Sequence, residues 1–206
     1  MQHEISTFTD QFMAQLCAVG GGGVPSDRAA WNELVPYLQE QCSDCLPYHY
    51  VRDYDAFYVV LWAWKNPTYI LEWAKRLQIL LRDTKYHMII LESNEAVDPH
   101  GQLDRRQHNV HVHRCGDNDV GTWLRTMMSS NVLVIDDHPF GWIAAAWNVY
   151  GLSVGYNLPL VLRGEHERVM DTEIVDANRG ADTYESRCQE QVLRYLQQHG
   201  QLGAVI

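Results

Sequence analysis

NVLVIDDHPFGWIAAAWNVYGLSVGYNLPLVLR, residues 131–163, decides how the rest of the chain is read. Val132–Ile135 is a short run of β-branched residues and leucine, the texture of a strand covered on both faces. Asp136-Asp137-His138-Pro139 forms an acidic turn whose proline suits the first turn of a helix. The residues from Pro139 onward are apolar on every side, which predicts a long buried helix. Leu158–Leu162 reads as the next buried strand. Strand, helix and strand in this order make one βαβ unit, and such units build parallel sheets.

The same texture extends outward in both directions. Asp55–Trp64 is nearly continuous apolar sequence and predicts another buried strand. Asn66-Pro67 pairs a capping residue with a first-position proline, and the helix to Arg82 puts Ile70, Trp73, Ala74, Leu77, Leu80 and Leu81 on one face. Tyr86–Leu91 is a third apolar run, Asp98–Gln107 a polar loop, and His108–Arg114 an alternating strand with Val110 and Val112 on one side. Gly116-Asp117-Asn118 caps a helix through Ser130, with Val120, Trp123, Leu124 and Met127 inward. Beyond the central stretch, Glu173–Val175 predicts a short strand, Thr183–His199 a helix closed by Gly200, and Leu202–Ile206 an edge strand or tail.

Towards the N-terminus, Ile5, Phe8, Phe12, Leu16 and Val19 fall on one stripe of an amphipathic helix, with Thr7 and Asp10 placed as a capping box. Gly20–Gly23 ends it as a connector, since a phosphate-binding glycine loop follows a strand rather than a helix. Ser26 caps a second helix through Cys42, with Ala30, Leu34, Leu38 and Cys42 inward and Pro36 kinking or splitting it. The predicted fold is therefore α/β: a three-layer Rossmann-like or flavodoxin-like, mostly parallel sheet with an N-terminal helical pair. Residues 1–48 form the helical extension and 49–206 the α/β domain.

Composition narrows the function classes. The 206 residues carry 26 acidic and 16 basic side chains, a net charge of −10, which disfavours nucleic acid because a phosphate backbone needs clustered Lys and Arg. No run of about eighteen apolar residues predicts a membrane span, and the acidic start MQHEISTFTD lacks a signal pattern, so a cytoplasmic setting is expected. Five cysteines (17, 42, 45, 115 and 188) are read as thiols rather than a disulfide framework. Cys42-x-x-Cys45 and the shared strand face of His111, His113 and Cys115 have donor atoms suited to a transition metal. Solvated imidazoles and helix-end thiols explain the same residues, and no metal ligand is assigned.

Open α/β sheets bind ligands outside the carboxyl ends of their strands. Those ends carry Lys65 and Asn66; Glu92, Ser93 and Asn94; Asp117; and Asp136, Asp137 and His138. Lys65, Asn66, Ser93 and Asn94 are candidate ligand- or cofactor-binding residues. Asp136, Asp137 and His138 are candidate catalytic residues, by contact with ribose hydroxyls, Mg²⁺ coordination or acid/base work. Helix capping accounts equally for any one of these carboxylates. A Cys-His arrangement of Cys115 with His100 or His138 is a further option that needs proximity in space.

Three resemblances attach to the same residues. Residues 52–163 resemble the layout shared by TIR domains and nucleoside 2-deoxyribosyltransferases: Tyr54-Asp55-Ala56-Phe57 is similar to a TIR first strand, and Ser129–Ile135 to the segment entering its central strand. The helix followed by Asn157-Leu158-Pro159-Leu160-Val161 is similar to both families. The resemblance implies cleavage of N-glycosidic bonds by a Glu on that helix. This chain has no acidic residue between Pro139 and Leu158, with Asn148 the nearest polar group, so it implies a ligand-binding relative lacking that carboxylate. Val132–Pro139 also resembles the opening of response-regulator receiver domains, which implies Mg²⁺ at the acidic pair and a phosphorylatable Asp roughly forty residues on, where Asp176 stands. A phosphoribosyltransferase likewise has an acidic pair after a buried strand, but Pro139-Phe140-Gly141-Trp142 stands in place of its Thr-Gly-x-Thr run.

Two functions are thus expected. The first is a soluble α/β domain binding a nucleotide, NAD or nucleoside-type ligand at the strand ends, as a catalytically degenerate N-glycosidase-like protein. The second is a protein–protein interaction module, or homo-oligomer, using an acidic, aromatic-rich surface with Trp31, Trp62, Trp64 and Trp142 as candidate anchors.

Overall fold

A computed structural model describes residues 2–25, 28–34, 36–38, 40, 56–93, 95–106, 109–114, 120–148, 151–155 and 173–176. Six strands appear in chain order: β1 Phe57–Ala63, β2 Tyr86–Glu92, β3 Val110–Arg114, β4 Val132–Ile135, β5 Leu152–Gly155 and β6 Glu173–Asp176. They form one sheet in the order β3-β2-β1-β4-β5-β6, and every neighbouring pair is parallel. This is the Rossmann order rather than the flavodoxin-like one, and it reverses direction between β1 and β4. β1 is buried along all seven residues because it has a strand on each side and helices on both faces.

The faces are divided by the two-residue side-chain period. Phe57, Val59, Leu61 and Ala63 point to a core that also holds Val132, Val134, Leu152 and Val154, covered by α3 (Pro67–Leu80). Tyr58, Val60 and Trp62 point to the opposite core with Leu133 and Ile135, covered by α1 (Gln2–Val19), α2 (Arg28–Asn32), α4 (Val120–Met128) and α5 (Pro139–Ala146). Helix, sheet and helix give the expected three layers. Ile5, Phe8, Phe12 and Leu16 of α1 lie inside this second core, where Phe8 meets Phe140 edge-on at 5.9 Å and Phe12 meets Trp147 edge-on at 5.8 Å. The domain boundary read at residues 48 and 49 lies outside the described residues.

Several elements differ in detail from their sequence reading. Thr7 and Asp10 sit inside α1, which begins at Gln2, so they cap nothing; Thr9 is buried in their stead, and Val19 is exposed at the helix end. The glycine run stops the helix as expected: Gly22 N–H donates to Cys17 O at 2.8 Å and Gly21 N–H to Ala18 O, with Gly21 at φ +75°. The second N-terminal helix is split near Pro36, as expected: α2 ends at Asn32, the chain turns at Glu33 and Leu34, and residues 36–38 are helical again.

The largest correction falls in the central stretch. The apolar run after Pro139 is not one long helix: α5 stops at Ala146, Trp147 caps it, and Leu152–Gly155 already forms the next strand beside β4. Gly151 makes that turn close. A Cβ there would lie 2.0 Å from the Asn131 carbonyl oxygen, so only glycine lets the backbone pass. Asn148 finishes the turn from within. Its fully buried amide binds Ser130 and Ser153, best satisfied with its NH₂ donating to the Met128 and Ser130 carbonyls and its oxygen accepting from the Ser153 hydroxyl. The predicted strand Leu158–Leu162, the helix Thr183–His199 and the tail Leu202–Ile206 lie outside the described residues, whereas Glu173–Asp176 pairs with β5 as a strand.

Candidate functional site

All six strands run the same way, so the residues read from their carboxyl ends come to one edge of the sheet. Lys65 and Asn66 follow β1, Ser93 follows β2, and Asp136, Asp137 and His138 follow β4 across the switch point. Asn94 and Asp117 lie outside the described residues.

Asp136 holds the centre. It is 1% exposed, and its Oδ2 accepts hydrogen bonds from three consecutive backbone amides, those of Trp64 (2.9 Å), Lys65 (2.6 Å) and Asn66 (2.8 Å). Its Oδ1 is buried and has no hydrogen-bond partner among the described residues. Charge-assisted bonds to three amides stabilise an ionised carboxylate strongly, which is why this acid can be taken out of water here. The outer side of the same turn is pinned by Ser93, whose hydroxyl donates to Trp64 O at 2.8 Å and whose N–H donates to Ala63 O at 3.0 Å. Asn66 uses its side-chain oxygen to cap α3, accepting from Tyr69 N–H at 3.1 Å, and Lys65 is exposed beside it.

His138 starts α5. Its extended backbone (φ −152°, ψ 136°) places Nδ1 3.2 Å from the Phe140 N–H, which it accepts as the helix cap. With Nδ1 an acceptor, the neutral ring carries its proton on Nε2 and faces other groups as a donor. Burial, reinforced by the positive Lys65, holds its pKa down to about 4 from the ordinary 6.5, against the opposing pull of Asp10 and Asp137. The ring lies over Trp64, centroids 4.3 Å apart, and Trp64 stacks in turn on Trp62 at 5.4 Å. The neutral imidazole and the Trp64 ring thus lie at the same edge of the sheet as the buried Asp136 carboxylate. Asp136 is committed to the backbone, and His138 at its low pKa is a weak base.

Two participants escaped the sequence reading. The apolar run predicts Trp64 as the last strand residue, yet β1 ends at Ala63 and Trp64 opens the turn. Asp10 reaches the field of His138 from α1, across a sequence gap that no local pattern bridges. Asn148, by contrast, lies between Ser130 and Ser153 at the amino end of the strands, the opposite end from His138.

Two of the four tryptophans expected as anchors of a docking surface are interior. Trp31 and Trp62 are fully buried, and Trp64 and Trp142 are partly buried against the same core. Among the described residues the large exposed apolar side chains are Val19, Val24 and Ile79, none of them aromatic. His111 and His113 do lie on the face opposite Val110 and Val112, and His111 Nε2 sits 3.1 Å from Nδ1 of His87, a neighbour from β2. Cys42, Cys45 and Cys115 lie outside the described residues, and among those described no three His, Cys, Asp or Glu side chains gather as a metal site. Among them, too, no helix is long and apolar enough to cross a membrane.

No protein-family model matches the chain, and no curated protein matches it. Among solved structures it is similar to the glycotransferase of kitacinnamycin, at 16% identity and a TM-score of 0.46, covering 73% of this chain and 39% of that one. It is also similar to the glycosyltransferase SnogD from Streptomyces nogalater, at 12% identity and a TM-score of 0.38, covering 76% of this chain and 41% of that one. The chain spans about two fifths of the length of these two proteins.

Proposed function

We propose that the chain is a ligand-binding α/β domain that takes a nucleoside-type group, free or as part of a nucleotide or NAD, at the β1/β4 switch point. The observation that carries this reading is the buried Asp136 Oδ1, an acceptor without a partner among the described residues at the edge where such sheets bind their ligands. A ribose hydroxyl is the donor this oxygen suits, and the partly buried Trp64 and His138 rings lie at the same strand ends.

Binding without turnover is the better-supported form. α5 reads PFGWIAAA and supplies no carboxylate, Asp136 is bonded to three amides, and His138 is held neutral. A degenerate N-glycosidase-like protein fits these features because an oxocarbenium-like transition state needs an available carboxylate. The test is a thermal-shift and calorimetric screen of nucleosides, deoxynucleosides, NAD and nucleoside diphosphate sugars. One class should raise the melting temperature saturably, by about 2.7 kcal/mol of stability at a hundredfold excess over Kd. It should be released unchanged. No shift with any of them removes the proposal, and hydrolysis of the glycosidic bond removes its non-catalytic part.

A further inference from the structure

The turn after the first strand of a Rossmann sheet is where backbone amides ordinarily receive a ligand's phosphate, at the N-terminus of the following helix. In this chain the turn is Ala63-Trp64-Lys65-Asn66-Pro67, and three of its consecutive amides converge on one point. Amides that converge in this way form an anion-binding nest. The point is occupied by Oδ2 of Asp136, an oxygen carried by β4 rather than by the turn, 70 to 72 residues away in sequence.

We infer that the β1–α3 turn is an anion site that the chain fills with its own Asp136 carboxylate, and that Asp136 thereby excludes phosphate from the switch point. A phosphate oxygen entering the nest would have to displace Oδ2 and would meet the second buried oxygen, Oδ1, of like charge. The turn has no glycine to open a wider cradle, and Ser93 fastens its outer side through Trp64 O and Ala63 O. The group that fits beside Asp136 is a hydrogen-bond donor, a hydroxyl or an ammonium, and a ligand's phosphate must lie elsewhere. The inference does not depend on the nucleoside reading: a chain that binds no nucleoside still has a filled nest.

Formate and inorganic phosphate are the probes, compared with chloride at matched ionic strength. Wild-type protein should show no saturable stabilisation by either. Asp136→Ala, with the nest emptied, should be stabilised saturably by both, with an apparent affinity at least tenfold above any wild-type response. Asp136→Asn keeps an oxygen facing the amides and should remain insensitive to formate. If Asp136→Ala does not accumulate folded, its refolding yield becomes the readout, and formate should restore it where chloride does not. The inference is overturned if Asp136→Ala gains neither stability nor refolding yield from formate, or if wild-type protein binds phosphate as well as the variant does.

Discussion

At the scale of single residues, His138 links the edge of the sheet to pH. Folded His138 titrates near 4, whereas an unfolded chain's imidazole titrates near 6.5, so between these values the unfolded chain binds the additional proton. The stability this residue contributes is therefore intact above about pH 6.5 and is lost as pH falls towards 4. His138→Asn keeps a side-chain acceptor for the Phe140 amide, so the helix start survives while the titration disappears. The fall in melting temperature between pH 7 and pH 5 should be smaller in this variant, and equal falls in both proteins would show that the imidazole is not the group responsible. The positions of Asp136 and His138 were legible in the sequence because an acidic turn after an apolar run marks a strand end. Their partners were not, since the three amides bonded to Asp136 belong to a turn 70 to 72 residues earlier.

At the scale of elements, two glycines decide how closely α5 and β5 approach the sheet. A Cβ on Gly141 would lie 3.0 Å from the Ile135 Cβ and 3.2 Å from Trp62 Cδ1, so α5 rests directly on β4 and β1. Gly141→Ala should cost about 1–3 kcal/mol by overpacking. Gly151→Ala should cost more, because its Cβ would meet backbone that cannot rotate aside, at 2.0 Å from Asn131 O. Urea unfolding of the two variants gives the order directly, and a milder effect at Gly151 would contradict the close approach. These contacts also explain why the end of α5 at Ala146 leaves no local mark in the sequence. Residues 139–157 are almost uniformly apolar, and periodicity cannot separate a buried helix from a helix followed by a buried strand. What ends the helix is the need to bring Leu152 N–H to Asn131 O at 2.9 Å, a long-range demand.

At the scale of the whole molecule, the strands β1 to β4, β6 and the three-layer class were legible from apolar runs alternating with amphipathic helices. The strand order was not, because β1 pairs with β2 and β4 through side-chain-independent backbone bonds that leave no local trace. Nor did the sequence reveal that α1 belongs to the main core. Phe12 is fully buried among Trp31, Tyr37 and Trp147, so the N-terminal helix and the sheet share one packing unit. Phe12→Ala should cost about 3–5 kcal/mol. Unfolding followed by far-ultraviolet dichroism and by tryptophan fluorescence should remain a single coincident transition in the wild-type chain. A separate early transition, removed by deleting α1, would mean that the helix is an independent appendage.

The bond between Asp136 and the β1–α3 turn also has a place in time. It closes a loop of some seventy residues, an ordering cost that a single contact does not offset early in folding. The expected behaviour is that of a late latch, formed after the folding transition state and broken early in unfolding. Asp136→Asn should leave the refolding limb of the chevron in place and raise the unfolding rate, with a φ-value near zero. The carboxylate that fills the nest would then set how long the folded molecule lasts, not how quickly it is made.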